Sequence, residues 1–142
     1  MKQITTCALL LFTFFISIQL NAQSPPVDQL VKEFLGDQKY QSSLSDNPGL
    51  IEYLKIKSTE GYKIDTVAIE KFNQLPILPQ TLYMKNEITP SEFAAAAKTD
   101  DFNFLQYSFP AIEEGVFRLD ASDNTIIVIQ SNEYINKQVR NR

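Results

Sequence analysis

The sequence predicts an α+β fold: N-terminal helices, then an antiparallel sheet of about 3–4 strands, then a C-terminal helix. Helical periodicity is concentrated in the first part of the chain after a short leader. Alternating and continuous apolar runs come later, around Tyr107, Phe117 and Ile127. A polar segment with a hydroxyl cap at Ser131 follows the last apolar run. Helices first and strands later is the segregated pattern of this class.

The leader is expected to be a cleavable secretory signal peptide over residues 1–22. Lys2 is its single cation, and no charge occurs between Ala8 and Leu20. A small residue, Ala22, sits at the expected cut, just before Gln23, Ser24 and the stiff pair Pro25 and Pro26. The apolar stretch is shorter than the roughly 20 residues a membrane span needs, and no stop-transfer charges follow. Cys7 lies ahead of the apolar core rather than behind it, which argues against lipid attachment there. Residues 23–142 then form one globular α+β domain, and no stable transmembrane span remains after cleavage. Such a chain is exported, to the periplasm or beyond the cell, and the compact leader points to a bacterial envelope.

Val27, Leu30, Val31, Phe34 and Leu35 recur at helical spacing, with Pro26 at the start and Gly36 past the end. A shorter helical piece is expected over 37–44. Asn47 and Pro48 then offer a cap and a first-turn proline for a helix to Glu60, with Leu50, Ile51 and Leu54 as its apolar stripe, Tyr53 at its edge and Gly61 as its stop. The stretch 62–69 reads either as a strand or as a turn leading into a helix capped by Asp65. Ile69, Phe72 and Leu75 favour the helix.

The prolines in Leu75, Pro76, Ile77, Leu78 and Pro79 forbid regular helix, and 81–85 alternates as an edge strand does. Thr89 and Glu92 have the spacing of a capping box for a helix through Phe93 and four alanines to Lys98. Residues 103–109 are strand-like. Segments 115–121 and 125–130 form a hairpin about Ser122, Asp123 and Asn124. Ile126, Ile127, Val128 and Ile129 are apolar on both faces, as a covered central strand requires. Ser131 caps a last helix to about Val139.

Loss of the leader removes Lys2 and Cys7, so 12 basic residues face 17 acidic ones and the net charge moves from −4 to −5. With no dense basic run, nucleic acid is not an expected partner. The cluster Lys137, Arg140 and Arg142 is better explained as the basic end of a helix complementing its own dipole. The chain beyond the leader has neither cysteine nor histidine. That excludes thiolate nucleophiles, serine–histidine triads and zinc sites of the usual ligand types, and leaves a hydrophobic core without disulfides to hold the fold.

Carboxylate chemistry remains open. Asp100 with Asp101 and Glu113 with Glu114 flank the aromatic strand, where a two-carboxylate glycosidase could use them beside Tyr107. Adjacent residues of extended chain point to opposite faces, however, so each pair reads more simply as a solvated loop end. Asp120, Asp123 and Asn124 do not have the spacing of a calcium loop and suit a turn. No cofactor and no metal site is expected.

Two features suit binding. Segment 75–79 is stiff and presents Ile77 and Leu78 to a partner at low entropic cost. The aromatic run Phe102, Phe104, Tyr107 and Phe109 could line a groove for an apolar or sugar ligand. Both segments would also serve simply as core. The binding residues expected are Ile77, Leu78, Tyr107 and Phe104. They belong to a non-catalytic binding or interaction domain whose partner is another envelope or extracellular protein, or a small ligand. The alternatives are a carboxylate hydrolase of glycosidase type and an accessory subunit of an envelope assembly.

Overall fold

A computed structural model of the chain describes residues 25–78, 81–83, 86–108 and 114–142. The expected leader, Pro79, Lys85, Phe109 and Glu113 lie outside the described residues.

The N-terminal helices follow their sequence signals closely. Helix α1 spans Val27–Leu35 and buries Leu30 and Val31. Gly36 has φ 80°, a left-handed conformation that turns the chain directly into α2 (Asp37–Asp46). Asn47 caps α3 (Pro48–Glu60), its side-chain oxygen accepting from the Leu50 amide at 3.1 Å. Gly61 does end α3, but not as a left-handed cap. Its φ is −71°, and glycine is required because a side-chain carbon there would collide with the Lys57 carbonyl oxygen.

Asp28 ties the three helices together, accepting from the Tyr40 hydroxyl at 2.9 Å and pairing with Lys55 Nζ at 2.7 Å. The Lys55 ammonium, followed by the Tyr40 hydroxyl, holds the Asp28 carboxyl below its ordinary value of 3.8. A depressed folded pKa adds stability above the unfolded value, and that stability is lost as pH falls through the folded one. Because the Asp28 side chain is 60% exposed, the pair contributes only about 0.5 kcal/mol. Asp28→Asn is expected to lose that much in urea denaturation at pH 7. At pH 2 the variant and the parent should unfold alike.

The helix expected within 62–69 is instead strand β1 (Tyr62–Thr66), which pairs antiparallel with β6 (Thr125–Ile129) from Tyr62 against Ile129 to Thr66 against Thr125. Tyr62 and Ile64 turn to the core while Lys63 and Asp65 turn outward. This period of two gains a full ladder on an apolar strand. Asp65 caps nothing; its carboxylate takes Lys63 Nζ at 2.6 Å. The helical signal survives as a single turn, α4 (Ile69–Phe72), in which Phe72 is buried.

Strand β5 (Gly115–Asp120) flanks β6 on its other side, giving the order β1-β6-β5. The two form the expected hairpin, with Asn124 at φ 55° in the turn. Ile126 and Ile127 point to opposite faces and both are buried, so β6 is covered on each side. Along the outer edge of β5, segment 76–78 adds one parallel bridge. Arg118 N donates to the Pro76 carbonyl at 2.8 Å, and Leu78 N donates to the Arg118 carbonyl at 3.0 Å.

A second sheet corrects the expectation of an edge strand at 81–85. Strand β2 (Thr81–Tyr83) lies in the middle, between β3 (Asn86–Ile88) and β4 (Tyr107–Ser108), all antiparallel. Thr89 and Glu92 make the complete capping box of α5 (Pro90–Ala96), which ends two residues before Lys98. Of the strand expected over 103–109, the described residues keep only β4. A 3₁₀ turn at Phe104–Gln106 precedes it because the Asn103 side chain takes the Leu105 amide at 3.1 Å. Ser131 caps α6 (Asn132–Arg140), and Arg142 beyond it pairs with Glu52 and Glu60 of α3. Among the described residues no helix is long and apolar enough to cross a membrane.

The core has two clusters. One face of the first sheet packs Ile127, Ile129 and Leu119 on Phe93 and Ala94 of α5, together with Leu78 and Phe104. The other cluster joins the helices through Val31, Tyr40, Ile51 and Leu54, and it also receives Leu105. Consecutive residues Phe104 and Leu105 thus enter different clusters. Asn103, before them, donates from Nδ2 to the Leu30 carbonyl of α1 at 2.8 Å. This short segment fastens the helical layer to the sheet layer.

Candidate functional site

An open cleft of about 460 Å³ lies along this fastening segment. Its walls are Glu33 of α1, Ala96 and Thr99 at the end of α5, Ile88 of β3, and the stretch from Asp101 to Asn103 with Gln106 and Tyr107. Asn103 sets the position of this stretch through its two buried hydrogen bonds. The rings beneath it form a connected group. Phe102 stacks on Tyr107 with centroids 5.3 Å apart, and both meet Phe93 edge-on, at 5.5 and 4.8 Å. Tyr62 stacks on Phe104 at 4.5 Å, and burial raises the pKa of its hydroxyl. Offset and edge-to-face contacts of this kind fix ring positions more tightly than aliphatic packing does.

Of the residues expected to bind, Tyr107 is half-buried and lines the cleft. Phe104, at 4% exposure, lies in the core behind it, and Leu78, at 1%, lies in the same core cluster. Both support the surface without being part of it. Ile77 is 61% exposed and belongs to the outer edge of β5. Alternation along segment 76–78 separates the two neighbours: Leu78 turns inward and Ile77 outward.

The pair Asp100 and Asp101 separates as well, and of the second pair only Glu114 is among the described residues. Asp101 lines the cleft, while Asp100 and Glu114 are exposed and line none of the described concavities. The second carboxylate in the cleft is Glu33, which also accepts from Gln29 Nε2 at 2.9 Å. Glu33 lies on the polar side of α1, and no sequence signal associates it with residues some seventy positions later. Gln106 was equally hidden, since the 3₁₀ turn that places it depends on Asn103.

The hairpin acids serve the turn. Asp120 accepts from the Ser122 amide and hydroxyl at 2.9 and 2.8 Å, which holds its carboxyl below the ordinary value. Asp123 takes the Thr125 hydroxyl and pairs with Lys98 at 3.0 Å, with the same effect on its pKa. No group of three metal-ligating side chains occurs among the described residues.

The cleft can offer two acids and an amide carbonyl as hydrogen-bond acceptors beside an aromatic wall. That combination suits a ligand with hydroxyl donors and an apolar face. Compared with known proteins, the chain matches no family model, no curated protein and no solved structure.

Proposed function

We propose that the chain is an exported, non-catalytic binding domain of the bacterial envelope or extracellular space, and that it holds a saccharide in the cleft beside Tyr107. The observation that carries this reading is the meeting, in one concavity, of the Phe102 and Tyr107 rings with Asp101, Glu33 and Gln106. Sugars present a C–H face to aromatic rings and hydroxyls to carboxylates and amides. The leader over 1–22 supports export.

The test begins with the full chain expressed in a bacterial host. The expected product is a soluble envelope or culture fraction whose intact mass begins at Gln23. Retention of the full-length mass in membranes refutes the leader. Isotope-labelled product is then titrated with neutral oligosaccharides, and amide shifts are expected at Glu33, Asp101, Phe102 and Gln106. Asp101→Asn and Glu33→Gln, both at exposed positions, are expected to weaken binding several-fold without moving Tm. Absence of any shift in the cleft across the oligosaccharides overturns the reading.

The pair Glu33 and Asp101 in one cleft favours the glycosidase reading as a second one. Against it stands their exposure, since a general acid is kept protonated by burial. Steady release of reducing ends that stops in Glu33→Gln would install that reading in place of the first.

A further inference from the structure

Arg118 is the anomaly of the first sheet. The sheet's other cation, Lys63, pairs with Asp65 at 2.6 Å, whereas Arg118, like Lys39, Lys57, Lys71, Lys137 and Arg140, has no carboxylate within 4.0 Å among the described residues. Its Nε is buried and makes no hydrogen bond, and its guanidinium lies 5.7 Å from the centre of the Phe72 ring. A donor withheld from water and left unpaired costs stability, so methionine or leucine would suit this place better if folding were the residue's only task.

The surroundings are apolar and partly exposed: Phe72 and Ile126, which pairs with Arg118 across the hairpin, are buried, while Ile77 and Ile69 are open to solvent. Ile77 is bridged to Arg118 backbone to backbone, and residues paired in this way project to the same face. The flanking bonds to Pro76 and from Leu78, with Leu78 sunk in the core, hold Ile77 rigidly in place. Ile69, 48% exposed, stands one turn before Phe72. Phe117, the neighbour of Arg118, packs toward the core that backs the cleft, so this face is the opposite side of the sheet.

We propose that the Ile77–Arg118 edge is a docking face for a second protein, which presents an aspartate or glutamate side chain flanked by apolar residues. The guanidinium is planar and lies over the Phe72 ring with its Nε held in the interior, so a carboxylate gains fork-like hydrogen bonds with reduced ordering cost. Exposed Ile77 and Ile69 supply the apolar contact around it, the arrangement of an arginine anchor within a hydrophobic rim. The requirement for negative charge on the partner follows from the charge of a half-buried guanidinium whose Nε has no hydrogen-bond partner among the described residues.

The test uses the isotope-labelled protein as the cell produces it and a capped peptide, acetyl-Leu-Glu-Leu-Leu-amide. Its Gln-for-Glu analogue and a Leu tetrapeptide with a free C-terminal carboxylate serve as comparisons. Saturable shifts at Ile69, Ile77 and Arg118 are expected with the Glu peptide, and at least tenfold weaker binding with the Gln analogue. Arg118→Met should abolish the shifts while leaving Tm unchanged or raised, and Arg118→Lys should weaken binding several-fold. Equal binding of the Glu and Gln peptides, no shifts with the Glu peptide, or a preference for the free carboxylate over the Glu side chain overturns the proposal. A fall in Tm for Arg118→Met with peptide binding intact also overturns it, because the residue would then be serving the fold alone.

Discussion

Phe93→Ala is expected to lower the free energy of unfolding by about 3–5 kcal/mol, read from urea midpoints with the slope unchanged. Phe93 is fully buried, and its ring is where α5, the first sheet and the cleft wall meet. Truncation removes the transfer energy of the ring and leaves a cavity whose walls are other rings. Tyr107 and Phe102 each make an edge-to-face contact with it, and such contacts contribute about 0.5–1.5 kcal/mol beyond area burial. Phe93→Leu should lose less, because it retains much of the volume. The same substitution also reaches the cleft, since Tyr107 and Phe102 lose their support, and any ligand affinity should fall with stability. A loss below about 2 kcal/mol for the alanine variant would mean that α5 does not close the sheet face as described.

The second large effect is expected at Asn103, where alanine should cost about 1–3 kcal/mol. The side chain is 94% buried and bonds in two directions, to the Leu30 carbonyl and from the Leu105 amide. Alanine strands the Leu105 amide in the interior and frees the segment that joins the two core clusters. Amide exchange is therefore expected to quicken from Asn103 through Tyr107 before it quickens in β6. The isosteric Asn103→Asp separates the two bonds, because an ionised carboxylate still accepts from Leu105 but meets the Leu30 carbonyl oxygen to oxygen. Burial and that contact raise the folded pKa of the new acid above its unfolded value. Its protonated form can donate to Leu30, so the variant should approach parental stability at low pH and lose it as pH rises past the unfolded value of about 3.9. Matching stability of the aspartate variant and the parent at pH 7 would show that the bond to α1 contributes nothing.

Much of the local structure was legible in residue order. The bounds of α1, the Asn47 and Ser131 caps, the capping box of α5 and the β5–β6 hairpin are each written in residues a few positions apart. The errors fall where a distant partner chose between two local options. Tyr62 to Thr66 became strand because β6 offered a ladder, and the 3₁₀ turn at Phe104–Gln106, held locally by Asn103, is fastened by the same side chain to α1 some seventy residues earlier. The binding residues divided along the same line. The stiffness of segment 75–79 was visible, but which of Ile77 and Leu78 faces outward depends on register against Arg118.

The sequence by itself determined the α+β class, the exclusion of imidazole chemistry, and the covered character of the strand from Thr125 to Ile129. Composition and short-range periodicity carry that information without knowledge of neighbours. Only the tertiary structure decided that Glu33 and Asp101 share a cleft, that Phe104 and Leu105 serve different clusters, and that Arg118 stands beside Ile77 with no acid of its own among the described residues. Those are contacts between residues far apart in the chain. Register and packing select them, and no pattern within a single segment encodes them.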